Sequence, residues 1–363
     1  SQAGAEIPGI SVMRKVIAAS VLLGLTMTGA AGAGTGASIA DHVFLPAVKE
    51  HQTGVQKLHA VAAAYCRNDV AREQVVVAWH NAMDNWQKLQ VLNIGPVVAD
   101  GRFNKINYWP DKHGTGARQA RRILASKPAD LLAADGLKGR SVAVQSLSLV
   151  ERLLFSTLAD QPMVTPAKQY ACRLMTMIAY RQFQLATEVR DDAAAFAGQL
   201  RQADGADSAT FPDDKALLTA ILKSVVTTFD IAIDVKLERA MGSSIEKAKA
   251  GRLENWRSGR AARNLAQNLR MVQAILTAPE GISDRLSARG AGALADAVSA
   301  QVSDLVRDLD ILPVSMHAMI ENEDGYDQMR ALVGRLKTLR TLISGPMADE
   351  LNVTIGFNAT DGD

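Results

Sequence analysis

Few residues in this chain are placed to do chemistry, and Glu151 is the first of them. It interrupts a run of apolar residues, with Leu147, Leu149, Leu153, Leu154 and Phe155 around it. A carboxylate on such a helix is costly to bury unless it is paired or ligated. Glu151 is therefore either part of a ligand or metal site or the acid of a structural pair with an arginine. Ser148 lies three residues earlier, on the same helical face. A second group lies in residues 95–116, where Arg102, Asn104, Asn107, Tyr108, Trp109 and Asp111 sit among prolines and glycines. Aromatic and polar side chains on such a loop suit a pocket wall, or a loop closing a bundle end with Trp109 as its plug. A third group gathers at a helix start, with Trp256, Ser258, Arg260 and Asn264. Ser258 could cap the helix, and Arg260 could clamp an anion or pair with an acid.

The histidines add little. There are six: His42, His51, His59, His80, His113 and His317. None belongs to an H-E-x-x-H pair. His51 and His59 can share a helical face and read as exposed polar residues. His113 sits in a glycine-rich loop beside Asp111. His317 and Glu321 are one turn apart and read as a metal pair or an ordinary polar pair. No P-loop, G-x-S-x-G or C-x-x-C is present. The two cysteines, Cys66 and Cys172, exclude a disulfide scaffold and a four-cysteine zinc site. In an oxidising compartment they either pair or stay as two buried thiols.

The elements holding these residues read as helices. The 363 residues are 48% hydrophobic and 21% charged, enough for a sizeable core and about two domains. Lysines and arginines (40) balance aspartates and glutamates (38), which gives no argument for a nucleic-acid partner. Helical spacing of apolar residues covers 44–65, 70–91, 117–124, 142–158, 166–200, 215–239, 256–276, 284–309 and 326–343, with another helix starting at Pro313. Ser283 reads as an N-cap, residues 201–214 as a linker, and 351–363 as coil or one short strand. The expected fold is all-α, with two antiparallel helical-bundle domains at 34–205 and 206–363.

Residues 1–33 read as an address. Met13-Arg14-Lys15 precedes an apolar run at 16–27, too short to span a membrane. Small residues ending in Ala31 and Ala33 follow, the pattern of a signal-peptidase site. The expectation is a secretory signal peptide cleaved near Gly34 and a periplasmic mature protein, whose membrane contact is limited to that signal.

From about Phe44 onward the chain resembles the imelysin family. The resemblance rests on several short segments in a fixed order. They are Leu45-Pro46, Ile94-Gly95-Pro96, Asn107-Tyr108-Trp109-Pro110-Asp111, and Glu254-Asn255-Trp256-Arg257-Ser258-Gly259-Arg260 with Asn264 and Asn268 beyond. The ending Leu351-Asn352-Val353-Thr354-Ile355-Gly356-Phe357-Asn358 completes the set. The resemblance implies two bundle-like domains with a site between them, around a G-x-H-x-x-E motif. Here Ser146 stands at the motif's glycine and Ser148 at its histidine, and Glu151 remains. The family is catalogued with metallopeptidases because of that histidine and glutamate. Serine is a poor zinc ligand beside imidazole, and catalytic zinc normally takes three protein ligands.

The family's link to periplasmic iron uptake requires binding rather than hydrolysis. The expected function is thus a non-catalytic periplasmic protein for metal or iron acquisition. Its ligand cleft would be lined by Trp109, Asp111, Ser148, Glu151, Ser258 and Arg260, with Glu151 on a divalent or ferric metal ion. Two other readings stand beside it. One is a metallopeptidase that recruits His113 or His317, and the other is a helical scaffold for another envelope protein.

Overall fold

The computed structural model describes residues 34–203 and 210–356. The expected signal segment, the middle of the expected linker and the last seven residues, 357–363, lie outside the described residues. Every regular element among the described residues is helical.

Helix α1, Leu45–Cys66, carries Pro46 in its first turn, where the missing N–H costs nothing. A turn at Thr35–Ser38 and a π-helical stretch at Ile39–Phe44 lead into it. Asn68, at φ 63°, helps close the short turn to α2, Arg72–Leu89. So tight a connection makes the two helices antiparallel neighbours. Helix α3 is Leu147–Leu154. Helix α4, Pro166–Gln202, is the longest, and its N-terminus is capped by Thr165, whose hydroxyl oxygen accepts from the Lys168 N–H at 3.2 Å. Helix α5, Asp214–Asp230, continues through a π-helical stretch, Ile231–Glu238, to Met241. Helix Thr115–Ser126 follows the loop ahead of α3, and helices α6, Ala261–Leu276, α7, Gly292–Asp310, and α8, Glu323–Leu342, are the remaining long ones.

Four predicted helices differ from those observed; the one expected from Pro313 is a single turn, Met316–Met319. Residues 142–158 do not form one helix. Ser146 adopts an extended conformation (φ −87°, ψ 157°) between Val142–Gln145 and α3. The buried Gln182 amide donates to the Gln145 carbonyl at 2.6 Å, so that carbonyl is satisfied from α4. The helix expected from Trp256 begins only at Ala261, because Gly259 takes a left-handed φ of 68°. Residues 284–309 are two helices, Ile282–Ala288 and α7, parted at Gly290. The Ser283 hydroxyl donates to the Leu276 carbonyl at 2.7 Å and caps nothing. Residues 353–356 are coil.

Helix α1 packs along α4 and α2, and α3 packs against both α2 and α4. Helix α6 lies against α2 and α7, while α8 packs on α5 and its π-helical extension. Helix α2 thus touches helices from both halves of the chain. Trp79 and Trp86 on it are fully buried in the core. Residues 214–241 are apolar enough to meet the length and composition of a membrane span, with a window of mean hydropathy 1.7. Most of that window (61%) is buried against the other helices, as for a core helix. Of the two possibilities for the cysteines, the structure has the disulfide: Cys66 at the end of α1 is bonded to Cys172 in α4.

Candidate functional site

A cavity of about 190 Å³ opens where the loop 107–116, helix α3, the end of the α5 extension and the segment 251–257 converge. Its wall includes Trp109, Asp111, Ser148 and Glu151 from the first half of the chain, and Arg239, Asn255, Trp256 and Arg257 from the second. The site is therefore assembled from both sides of residue 205.

Glu151 is 4% exposed. Its Oε2 accepts from Asn255 Nδ2 at 3.1 Å, and its Oε1 accepts from the Ser258 backbone N–H at 3.1 Å and hydroxyl at 2.8 Å. Burial pushes its pKa up, and the donors from Asn255 and Ser258 hold it partly down. The expected alternative of an ion pair with the adjacent arginine is not what holds this carboxylate. Local backbone geometry sets up the grip. Asn255 has φ 51° and Gly259 φ 68°, so the chain turns tightly through Trp256–Ser258 and aims the Ser258 N–H at Glu151. Asparagine tolerates the left-handed region better than most residues, and glycine adopts it freely.

Behind Glu151 lies a polar network buried among the helices. The Ser148 hydroxyl donates to Asn107 Oδ1 at 2.6 Å, and Asn107 Nδ2 donates to Glu254 Oε1 at 3.1 Å. Gln87 Nε2 donates to the same oxygen at 2.9 Å. Lys236 pairs with Glu254 Oε2 at 2.7 Å and donates to Gln87 Oε1 and Asn268 Oδ1, each at 2.8 Å. Burial lowers the Lys236 pKa, and the Glu254 charge works against that shift. A second branch runs from Asn255 through Asn264 to Arg260. Asn264 Nδ2 donates to Asn255 Oδ1 at 2.9 Å, and Arg260 Nε donates to Asn264 Oδ1 at 2.6 Å. Arg260 also pairs with Asp84 at 2.5 Å.

These contacts place each predicted site residue. Trp109, Asp111, Ser148 and Glu151 share the cavity wall. Ser258 grips Glu151. Arg260 is not at the wall: it is 3% exposed and committed to Asp84, Asn264 and the His80 carbonyl. Of the two readings for Arg260, the structure realises the acid pair. His113 is not a wall residue either, and His317 stacks on Trp256 with ring centroids 5.5 Å apart. No group of three or more His, Cys, Asp or Glu able to hold a metal occurs among the described residues. His51 is fully buried against Trp86 rather than exposed, and burial lowers its pKa to about 4.

Sequence reasoning missed Gln87, Lys236, Arg239 and Arg252, and it named Glu254 and Arg257 only within the segment that carries the resemblance, without a place in the site. Lys236 carried little signal, since Asp234, Glu238 and Arg239 lie within three residues of it and make the stretch read as an ordinary charged helix end. Gln87 sits on the apolar face of α2 beside Trp86 and could have been found from that placement.

The imelysin family model matches residues 45–343. The chain belongs to the imelysin family. No curated protein matches this imelysin. Its fold is similar to that of an imelysin-like protein from Psychrobacter arcticum 273-4, at a TM-score of 0.75 and 18% identity, covering 89% of this chain and 96% of that one. It is also similar to an iron-regulated protein A precursor from Parabacteroides distasonis ATCC 8503, at a TM-score of 0.69 and 10% identity, covering 85% and 93%. At these identities the likeness establishes the all-helical fold.

Proposed function

We propose that this imelysin is a periplasmic ligand-binding protein that serves metal or iron acquisition through the Glu151 cleft, and not a peptidase. The observation that carries the reading is the grip on Glu151. A buried carboxylate held from both oxygens by Asn255 and Ser258 forms part of the wall of a cavity. A side chain fixed in this way supports binding by being pre-organised. The Ser148 hydroxyl is spent on Asn107, and the sequence resemblance puts Ser148 where the family's motif has its histidine. A bare zinc ion would find too few nitrogen or sulfur ligands here for hydrolysis. A metal bound here relies on carboxylate oxygen and on donors it brings with it, which suits a hard ferric ion. The disulfide supports an oxidising compartment, in line with the export reading. The name of the Parabacteroides relative supports the iron link.

Calorimetric titration of the metal-stripped protein with Fe(II), Fe(III), Zn(II) and Cu(II), repeated on Glu151→Gln, tests the proposal. The expected result is binding of at least one metal, weakened about tenfold or more in the variant. Absence of binding by every metal salt would remove the reading of the cleft as a site for a free metal ion. Cleavage of a generic unfolded protein substrate by the purified chain would restore the peptidase reading.

A further inference from the structure

The charge on the cavity wall favours an anion. Four arginines, Arg152, Arg239, Arg252 and Arg257, face two carboxylates, Asp111 and Glu151. Glu151 already accepts three hydrogen bonds from Asn255 and Ser258. Among the described residues, none of the four guanidinium groups forms an ion pair with a carboxylate. Arg152, Arg239 and Arg257 are nevertheless half-buried. They also feel one another, since the charge of Arg152 disfavours that of Arg257 and the charge of Arg252 disfavours that of Arg239. The charges of Asp111 and Glu151 offset part of this, but four guanidiniums against two carboxylates still leave a positive potential focused in a concave site. One of them is already oriented. Arg257 lies over the Trp256 ring at 4.3 Å, and that ring is stacked on His317. Planar, oriented guanidinium groups match the geometry of oxyanions.

Asp111 adds the complementary feature. Its Oδ2 accepts from the Ala117 N–H at 3.1 Å, but its Oδ1 is buried and has no hydrogen-bond partner. A buried carboxylate oxygen without a donor is costly, and Asp111 is a residue of the cavity wall, so a ligand hydroxyl that reaches Oδ1 would satisfy it.

We infer that the cleft binds a small polyanion bearing both oxyanion groups and a hydroxyl, a hydroxy-polycarboxylate. Arg152, Arg257 and Arg239 take the carboxylates, and Asp111 Oδ1 accepts from the hydroxyl. This rests on the reading of the cleft as a ligand site and is independent of whether a metal travels with the ligand. Any metal would then enter as an anionic complex rather than as a free ion.

The test is calorimetric titration of the disulfide-bonded, metal-free protein with citrate, with tricarballylate, which lacks only the hydroxyl, and with inorganic phosphate. Citrate is expected to bind more tightly than tricarballylate by about tenfold, the worth of one hydrogen bond to a charged group. Arg152→Gln and Arg257→Gln are each expected to weaken citrate by about tenfold or more, with the melting temperature of the free protein unchanged. Affinity should also fall as salt is raised. Binding that the arginine variants leave intact would overturn the inference, as would equal affinity for citrate and tricarballylate. Preference for phosphate would assign the arginines to a phosphate ligand and overturn the hydroxy-polycarboxylate. If all three anions fail while a metal salt binds, this inference falls and the ligand-site reading stands. If both titrations fail, both fall.

Discussion

At the scale of residues, burial alone changes what a side chain does. His51 has both ring nitrogens buried without a hydrogen-bond partner, and its pKa is lowered from 6.5 to about 4. The unfolded chain therefore binds a proton at this residue that the folded one refuses, over the window between those two values. Its contribution to stability is complete above about pH 6.5 and is lost as the pH falls toward about 4, at a cost of roughly 3 kcal/mol. Urea unfolding of wild type and His51→Leu at about pH 7.5 and 4.5 checks this. The variant should gain on wild type by roughly 2–3 kcal/mol between the two pH values. A constant difference would mean that the histidine is solvated in the native state. Glu151 is shifted the other way, its carboxyl raised by burial, and the donors from Asn255 and Ser258 limit the rise. The existence of a buried acid here was legible from the leucines around it. Its partners were not, because they lie more than a hundred residues away in the chain.

At the scale of elements, the helices were legible from apolar periodicity, and their breaks were less so. The break at Ser146 has no proline or glycine to announce it and is supported by Gln182 from α4. Close approach between elements is equally hidden. Gly36, in the turn before α1, presses on the Leu200 carbonyl near the end of α4, and an added Cβ would collide with that backbone oxygen and touch Leu217. Gly36→Ala is expected to destabilise by roughly 1–3 kcal/mol through this overlap. Thermal unfolding reads the effect. An unchanged midpoint would show that the turn and α4 separate without cost.

At the scale of the whole molecule, the polar network around Lys236 and Glu254 ties α2, the extension of α5, the segment before α6 and α6 itself together under the cavity. Each ion is at least nine-tenths buried. Removing one partner strands the other, so Lys236→Met is expected to lose about 3–5 kcal/mol, whereas Lys236→Met with Glu254→Leu should recover most of it. Denaturant unfolding of the single and double variants tests this. A double variant as unstable as the single would mean that Gln87, Asn107 and Asn268, rather than the ion pair, carry the cost. The disulfide acts on a different part of the fold, joining α1 to α4 across a sequence separation of 106 residues.

The sequence by itself determined that this chain is helical, roughly where its long helices run, and that Trp109, Asp111, Ser148 and Glu151 belong to segments able to do chemistry. Those properties are local, since propensity, apolar spacing and punctuation act over a few residues. Only the tertiary structure decided that Glu151 is held by Asn255 and Ser258, that Arg260 is withdrawn to Asp84, and that unpaired arginines converge on one cavity. Charge and hydrogen-bond complementarity depend on distance in space. Spacing along the chain does not encode which distant residues the packing of α2, α3 and α6 will bring within reach.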